Sequence, residues 1–375
     1  MREGWTYKKL GEVCKVVTGS TPKTNIPEYW DGDYPWITPA ELKGDVYVDD
    51  TERHITEEAI AHTNVTLMPV GTVLLSSRAP IGKVAITTRE MYCNQGFKNL
   101  ICSDIIDNKY LYLWLKGKTD FLNSLGRGAT FKEISKSIVE NIQIPLPPLS
   151  VQQSIVAELD KINELINLKK AQLSDLDNLA QSIFYDMFGD PVENEKGWEV
   201  KKLSEVSTLL NGRAYKQNEL LNEGKYKVLR VGNFFTNSNY YYSNLELEDN
   251  KYCDNGDLLF AWSASFGAFI WSGEKVIYHY HIWKVLYDVS ILNKLYYCYL
   301  LNTMTNSFMN DLHGIGMMHL TKVGMEQYPL PLPPLPLQQT FAKRIEQIEQ
   351  QKSQINSAIK DLEILLASRM QYWFE

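Results

Sequence analysis

The sequence has few cysteines and no long apolar run. Its five cysteines are scattered along 375 residues and form no Cys-x-x-Cys pair, so we predict buried free thiols, not a disulfide framework or a zinc site. The longest uncharged apolar stretch, 258–271, is shorter than the ~18 residues that a membrane helix needs. The first residues carry no apolar export segment. We therefore expect a cytoplasmic protein without a membrane span.

Catalytic motifs are also missing. The stretch Ile81–Val84 resembles the end of a phosphate-binding loop, but Ser77 stands where that loop has its first glycine. The sequence contains no Asn-Pro-Pro-Tyr string and no glycine-rich loop suited to S-adenosylmethionine, which argues against methyl transfer by this chain alone. His279 and His281 are predicted to share one face of a strand, yet no third metal ligand is evident. We predict no metal site.

The chain is mildly acidic. Its net charge is −7, and the segment 151–190 concentrates the acidity, with seven Asp or Glu against three Lys or Arg. Neutralisation of phosphates supplies most of the non-specific affinity for nucleic acids. A simple DNA-coating protein is therefore excluded, and tight binding to a polyanion would need a partner that adds positive charge.

The sequence contains an internal repeat with two copies. Residues 145–153 and 331–339 share a Pro-Leu-Pro-Pro-Leu segment ending in a glutamine pair, at an offset of 186 residues. The openings at Gly4-Trp5 and Gly197-Trp198 repeat at an offset of 193. A repeat of this length indicates a duplicated domain, and we expect its prolines to hold an extended backbone that ends before a helix.

A long amphipathic helix is predicted after each proline segment, because apolar residues recur there at alternating spacings of four and three. The predicted coiled-coil seam consists of Ile155, Leu159, Ile162, Ile166, Leu173, Leu176, Phe341, Ile345, Ile348, Ile355, Ile359 and Leu362. Lys169 and Lys352 each interrupt it, staggered by one step. A polar seam residue commonly fixes register, and the alternative is that each lysine extends its amine to the edge of the seam.

The segments that precede the two long helices have the mixed helix and strand pattern of α+β domains. Two short strands, 71–75 and 84–88, flank a small turn and are matched by 256–260 and 268–271, so each copy should contain a hairpin. Helical stretches are predicted at 109–121 and 291–308. The fold class is therefore α+β, with two similar mixed β/α domains joined by two long helices that should pack on each other as a coiled coil. The predicted boundaries are 1–149, 150–189 for the central helix, 190–335, and 336–375 for the distal helix.

Polar and basic residues in the predicted loops are candidate DNA contacts. Arginine, asparagine and glutamine can form paired hydrogen bonds with base edges, and lysine can contact phosphates, although polar loops are common in any protein. The candidates are Thr18, Ser20, Lys23, Ser77, Arg78, Asn94, Gln95, Lys98, Arg127, Thr130, Lys132, Arg213, Tyr215, Lys216, Arg230, Asn233, Ser263 and His281.

The repeated features together resemble the specificity subunit of type I restriction-modification systems. The resemblance covers essentially the whole chain and is strongest at 144–153 and 330–339. It includes Gly128 with Ser135 and Gly314 with Thr321, and the turn to Gly82 with Asn94 downstream. In the second copy His279 replaces Asn94, which departs from the pattern.

This resemblance implies that each globe is a target recognition domain that reads one half of a split, asymmetric DNA site. It also implies that the two long helices pack as an antiparallel coiled coil in a pseudo-twofold arrangement and set the unread spacer. It implies two methyltransferase (modification) subunits as partners, with restriction and translocase subunits in the complex. S-adenosylmethionine, ATP and Mg²⁺ would then be held by those partners and none by this chain. Two alternatives stay open: a stand-alone DNA methyltransferase or nuclease with an unrecognised site, and a coiled-coil protein scaffold.

Overall fold

The computed structural model describes residues 4–78, 80–127, 132–263, 265–310 and 321–374. The first half of the chain contains the strands β1 (Thr6–Lys9), β2 (Cys14–Thr18), β3 (Trp30–Ile37), β4 (Tyr47–Val48), β5 (His54–Ile55), β6 (Val73–Leu75), β7 (Val84–Thr87), β8 (Tyr92–Cys93), β9 (Lys98–Cys102) and β10 (Gln143–Leu146). Its helices are α1 (Leu10–Val13), α2 (Glu57–His62), α3 (Asn108–Lys116), α4 (Thr119–Leu125), α5 (Lys136–Asn141) and the long α6 (Leu149–Phe188).

The second half contains a similar series of elements and differs mainly in its middle part, where α8 lies between β13 and β14. Its strands are β11 (Glu199–Lys202), β12 (Ser207–Asn211), β13 (Tyr226–Leu229), β14 (Tyr241–Ser243), β15 (Tyr252–Cys253), β16 (Leu258–Ser263), β17 (Ser265–Ile270), β18 (Val276–Tyr278), β19 (Ile282–Tyr287) and β20 (Pro329–Leu332). Its helices are α7 (Leu203–Val206), α8 (Val231–Thr236), α9 (Lys294–Thr303), α10 (Thr305–Asn310), α11 (Lys322–Glu326) and the long α12 (Leu335–Phe374).

The chain divides into two compact units. Unit 1 comprises residues 1–169 and 358–375, and unit 2 comprises 170–357. Each unit therefore holds one globe with a part of both long helices. In unit 1 the sheet orders are β2-β9-β6-β7-β4 and β5-β3-β8, and in unit 2 they are β12-β19-β16-β17 and β14-β13-β18-β15. The order β2-β9-β6-β7 in unit 1 corresponds to β12-β19-β16-β17 in unit 2. This correspondence confirms the predicted duplicated α+β architecture.

The proline segments close each globe before the helix begins. Strand β10 pairs antiparallel with β1, with Pro145 opposite Tyr7, and β20 pairs with β11, with Pro331 opposite Val200. The predicted extended conformation is confirmed. Each long helix starts one residue earlier than predicted.

The first glutamine of each pair fixes the junction between globe and helix. In unit 1 the side chain of Gln152 is fully buried; its amide nitrogen donates to the carbonyls of Ile105 (3.0 Å) and Pro147 (2.9 Å), and its oxygen accepts from the Asp107 N–H (2.8 Å). Gln338 makes the same three bonds in unit 2. One side chain thus satisfies three backbone groups, of which the Pro147 carbonyl forms a fully buried bond and the other two form partly buried bonds.

The predicted seam residues are buried or half-buried in the structure. Ile155, Leu159, Ile162, Ile166, Phe341, Ile345, Ile348, Ile355 and Ile359 are buried, and Leu173, Leu176 and Leu362 are half-buried. Within unit 2 the segments run antiparallel, since Phe184 contacts Phe341 and Asp177 contacts Lys352. Lys352 lies 2.8 Å from both Asp177 and Glu349, so its charge is neutralised at the seam.

Each globe packs on the beginning of one long helix and the end of the other. In unit 1, Phe374 of α12 packs on Tyr110, with ring centroids 5.5 Å apart. In unit 2, Phe188 of α6 packs on Tyr296 at 4.7 Å. Phe188 and Phe374 are separated by the same 186 residues that relate the two copies, so the duplication holds for this contact as well.

Several local predictions need correction. The stretch 109–121 contains two helices, because α3 ends before Gly117, and 291–308 is likewise divided between α9 and α10. The hairpin of unit 2 is tighter than predicted, since β16 and β17 pair as far as Ser263 and Ser265. The cysteines lie buried as predicted, except for the half-buried Cys102. In the described part of the chain, no helix is both long and apolar enough to cross a membrane.

Candidate functional site

Each globe contains the same arrangement of loops just beyond the ends of two parallel strands. We call this arrangement a corner. In unit 1 the Asn94 N–H donates to the Ile37 carbonyl (3.1 Å), and the Ser77 N–H donates to the Gly96 carbonyl (2.7 Å). In unit 2 the corresponding bonds run from His279 to Leu229 (2.9 Å) and from Trp262 to His281 (3.1 Å). His279 therefore occupies the position of Asn94, and His281 that of Gly96.

A glycine brings a further loop against each corner. A Cβ placed on Gly19 would lie 2.2 Å from the Asn94 carbonyl oxygen, and one on Gly212 would lie 2.3 Å from that of His279. Real side chains do not tolerate such contacts, so glycine is required for this close approach. The loops place Ser20 beside the corner of unit 1 and Arg213 beside the corner of unit 2. We define corner 1 as Ser20, Thr38, Ser77, Arg78, Asn94 and Gly96, and corner 2 as Arg213, Arg230, Trp262, Ser263, His279 and His281.

Corner 1 presents neutral polar groups and one arginine. The Asn94 side-chain oxygen accepts from the Gly96 N–H (2.9 Å), and a Cβ on Gly96 would lie 3.4 Å from Arg78 Nε. Arg78 is half-buried, and among the described residues its guanidinium has no hydrogen-bond or ion-pair partner. A guanidinium without a protein partner is able to bind a base edge or a phosphate.

Ser77 of corner 1 and the adjacent Lys98 are buried, so their side chains do not form part of the surface. Lys98 is 5% exposed, and its amine contacts Glu133 (3.1 Å) and Ser77 Oγ (3.2 Å). Ser77 is fully buried and donates its hydroxyl to the Gly96 carbonyl. As placed, neither side chain reaches a ligand on the surface, which contradicts the prediction that they contact DNA. They support the loop that carries Arg78 and Gly96.

Arg213 in corner 2 is already neutralised. Its guanidinium forms a bidentate pair with Glu219, with N–O distances of 2.9 and 2.7 Å. The hydrogen bond and charge of Arg213 lower the pKa of Glu219 to about 2, so the pair stays ionised at neutral pH. Arg213 thus shapes corner 2 but offers little free charge.

The other basic groups of corner 2 are His279, His281 and Arg230. The rings of His279 and His281 have centroids 4.8 Å apart, and Trp262 packs against His281 at 5.1 Å. Burial, followed by the repulsion of His281 and Arg230, lowers the pKa of His279 to about 4. The Nε of Arg230 is buried without a hydrogen-bond partner in the part of the chain that the structure describes.

Two further candidates are too buried to contact DNA directly. Asn233 is 4% exposed and uses both ends of its amide, accepting from the Arg230 N–H and donating to the Ser238 carbonyl. Ser263 is also 4% exposed. Asn233 therefore positions the backbone of Arg230, which corrects its predicted role.

The remaining candidates lie around the corners or away from them. Lys23, Gln95, Arg127, Lys132 and Lys216 are exposed, whereas Thr18, Ser20, Asn94, Tyr215 and His281 are half-buried. Thr130, Gly128 and Gly314 lie outside the described residues. Thr21 donates its hydroxyl to Gln95, which ties two loops together beside corner 1.

The sequence prediction omitted Thr38, Trp262 and His279 from the candidate contacts. His279 was considered as half of a metal pair on a strand, and its alignment with Asn94 was noted as a departure from the pattern. In the structure it follows β18 and lies with His281 at the turn before β19. No group of three His, Cys, Asp or Glu suited to a metal occurs among residues that the structure describes. The repeat alignment that placed His279 on Asn94 was the signal that could have added His279 to the candidates.

The protein consists of two globes of similar topology, each followed by a 40-residue helix. The two corners share one backbone arrangement but carry different polar side chains. Together these features define a duplicated binding protein. The chain belongs to the family of the type I restriction modification DNA specificity domain, whose family model matches residues 2–178 and again 195–363.

Individual relatives agree with this assignment. The chain is 38% identical to the type I restriction enzyme MjaIX specificity subunit of Methanocaldococcus jannaschii, over 60% of this chain and 57% of that protein. It is 34% identical to the EcoR124I/EcoR124II specificity subunit of Escherichia coli, over 43% of this chain and 41% of that one. The matches span about half the length of these curated relatives.

Solved structures share the fold. A chain from a structure of the type I R-M system covers 100% of this chain and 98% of its own length, with a TM-score of 0.67 and 19% identity. The S subunit of the type I restriction-modification system from M. genitalium covers 99% of this chain and 96% of its own length, with a TM-score of 0.54 and 14% identity.

Proposed function

We propose that this chain is the sequence-specific DNA-binding specificity subunit of a type I restriction-modification complex, with no catalytic step of its own. Each globe reads one half of a bipartite, asymmetric DNA site. The main support for this proposal is that the corners of the two globes share the same backbone arrangement but carry different side chains. Asn94 and His279 occupy equivalent positions with equivalent backbone bonds, yet present different hydrogen-bonding groups. Two corners of this kind suit two different half-sites.

The side chains of corner 1 fit base recognition. Arginine pairs with the acceptor edge of guanine, and asparagine pairs with adenine in the major groove. Arg78 and Asn94 lie close together, since a Cβ on Gly96 would lie 3.4 Å from Arg78 Nε and 3.0 Å from Asn94 Oδ1. Exposed lysines around both corners, such as Lys23 and Lys216, suit the phosphates that fix register on the duplex.

The proposal extends to the partners. Two modification subunits dock on this chain and carry S-adenosylmethionine, while restriction subunits supply ATP- and Mg²⁺-dependent translocation and cleavage in the cytoplasm. The net charge of −7 supports this division of work, because such a chain needs partners that add phosphate contacts. Family membership supports the same assembly.

Exchange of residues 1–149 tests the proposal. Replacing them with the matching domain of a specificity subunit of known target is expected to change one half of the recognised sequence and leave the other half unchanged. The measurement is genome-wide mapping of adenine methylation in cells that carry the chimera and its modification subunits. Exchange of 190–335 is the reciprocal control. A change in both halves, or in neither, would refute the modular assignment.

A second experiment tests whether the long helices set the spacer. Seven residues inserted after Ser174 in α6, with seven more after Gln354 in α12, preserve the heptad pattern. Both sites are needed because the Lys352–Asp177 ion pair places these stretches side by side. We expect the methylated sequence to keep both halves and gain a longer unread spacer. An unchanged spacer in an active complex would contradict the role of the helices.

A further inference from the structure

Two cysteines of unit 1 lie directly opposite each other on neighbouring strands. Cys14 begins β2, Cys102 ends β9, and the antiparallel pairing of these strands makes the two residues Cα partners. Side chains of directly opposed residues project from the same face of a sheet. Cys14 is buried in the core of unit 1, and the half-buried Cys102 packs against the same core. Both thiols are free.

The hydrogen bonds of the ladder place this pair at the closer of the two spacings that antiparallel strands provide. The Ser103 N–H donates to the Val13 carbonyl (3.0 Å), which makes Val13 and Ser103 a hydrogen-bonded pair. Such pairs alternate along the ladder with non-hydrogen-bonded pairs, so Cys14 and Cys102 form one of the latter. Their Cα atoms are then about 4.5 Å apart, within the range of about 4.4–6.8 Å that a disulfide spans. A bond between the two sulfurs requires no change of register.

The two thiols already interact with each other. A hydrogen bond with Cys102 raises the pKa of Cys14, and burial and the charge of Cys102 raise it further. Cys14 therefore keeps its proton while Cys102 is free. Two of these three causes disappear once the sulfur of Cys102 has reacted, because it then carries no charge and no longer competes for the proton. The second thiol becomes easier to ionise at the step where it is needed.

Cys102 is the cysteine that a reagent can reach first. It lines a surface cleft of about 340 Å³ that also includes Gly71, Asp104 and Gln153. Cys14 is only 5% exposed. The pair thus combines one accessible thiol with one protected thiol across the same ladder.

Unit 2 forms the same ladder without sulfur. Ser207 lies opposite Tyr287 at the equivalent positions, and the Asp288 N–H donates to the Val206 carbonyl (2.9 Å), as in unit 1. The pairing of these strands therefore does not require cysteine on either side. The paired thiols of unit 1 need another explanation.

The other three cysteines are not arranged in this way. Cys93 pairs with Ile37, Cys253 pairs with Val276, and Cys298 lies on α9. They provide internal references for any reaction of the opposed pair.

We propose that Cys14 and Cys102 form a redox site, in which a low-molecular-weight disulfide oxidises the two thiols to one cross-strand disulfide. This inference goes beyond the proposed function and does not depend on it. The Cys102 thiolate attacks one sulfur of the small disulfide, which releases a first small thiol and leaves a mixed disulfide on Cys102. The sulfur of Cys14 then attacks that of Cys102 and releases a second small thiol. The two protons lost by the cysteines end on the two released thiols, and an excess of reducing thiol reverses both steps.

The bond would join the two strands that lead to corner 1. Strand β2 runs from Cys14 to Thr18, directly before Gly19, and β9 begins just after Gly96 and ends at Cys102. The cross-link also closes a long loop of the chain, which restricts the unfolded state and favours the folded one. By linkage, the fold favours the disulfide by the same factor.

The first experiment uses the full chain and oxidised glutathione as the small disulfide. After incubation and an acid quench, the chain is unfolded and its remaining thiols are alkylated. We expect two of the five thiols to be protected from alkylation, with no glutathione retained and with Cys14 joined to Cys102 in the peptide map. Five alkylated thiols, a disulfide between any other pair, or a disulfide between two chains would overturn the proposal.

Single substitutions separate the two roles. Cys14→Ser, which places the residue that unit 2 has at this position, should stop the reaction at the mixed disulfide, so that the chain gains one glutathione on Cys102. Cys102→Ser should gain none, because Cys14 is protected. Cys298→Ser is the matched control and should form the same bond as the unaltered chain. Protection of two thiols in Cys14→Ser would contradict the assignment, and the peptide map of the unaltered chain decides if a variant fails to fold.

A redox equilibrium tests whether the fold holds the sulfurs ready to react. The ratio of oxidised to reduced chain is measured in glutathione redox buffers, once under native conditions and once in urea. We expect the equilibrium constant for oxidation to be about a hundredfold or more larger in the folded chain, the factor by which a disulfide commonly stabilises a fold. Equal constants in the two conditions would overturn the proposal.

Discussion

Replacing Gln152 with leucine is expected to destabilise unit 1 by about 3–6 kcal/mol. The substitution leaves the carbonyls of Ile105 and Pro147 and the N–H of Asp107 without their shared partner. Each buried backbone group left unsatisfied costs about 1–3 kcal/mol, and leucine fills the space without replacing any bond. The first globe would lose its fixed attachment to α6.

Urea denaturation of the full chain, with tryptophan fluorescence as the probe, measures this effect. Gln153→Leu is the matched control, because Gln153 is the exposed neighbour in the same pair and should change the midpoint little. Gln338→Leu should have an equal effect on unit 2, where the same three bonds are made. If Gln152→Leu and Gln153→Leu unfolded at the same urea concentration, the assigned role of the buried amide would be wrong.

The junction and the helices were predictable because their signals are local. Prolines restrict the backbone wherever they occur, and a heptad seam is visible in any stretch of helix. The glutamine pair marked the junction, but the sequence did not distinguish Gln152 from Gln153. That difference arises from which side of the first helical turn faces the globe, and the globe is assembled from residues far away in the chain.

The corners were predicted less well, because β-sheet pairing places their residues. Lys98 lies on β9, which is paired on both sides by β2 and β6, so its side chain enters the interior and meets Glu133. Spacing alone gave no indication of this burial. The equivalence of His279 with Asn94, which the sequence repeat had indicated, is accompanied by the parallel pairing of β18 with β13 and of β8 with β3. Arg78 was chosen as a candidate DNA contact because small residues flank it in its loop, and that role stays a prediction. Its proximity to Gly96 arises from the bond between the Ser77 N–H and the Gly96 carbonyl, which joins two loops that are distant in the sequence.

Phe184→Ala is expected to destabilise unit 2 by about 3–5 kcal/mol, the usual cost of removing a buried aromatic ring. Phe184 is fully buried on α6, and its ring centroid lies 5.7 Å from that of Phe341 on α12 and 6.0 Å from that of Tyr296 in the globe. The ring joins both helices to the second globe. Its removal would leave a cavity where all three elements meet.

The duplication provides a matched variant for this test. The residue equivalent to Phe184, 186 positions further on, is Met370, which packs against the core of unit 1. Phe184→Met should therefore cost less than about 1.5 kcal/mol, since it keeps most of the buried volume, whereas the exposed neighbour in Tyr185→Ala should cost little. Calorimetry of the three full-length variants gives the order. Equal losses for Phe184→Met and Phe184→Ala would mean that unit 2 requires an aromatic ring where unit 1 does not, and that the two junctions have diverged as far as the two corners.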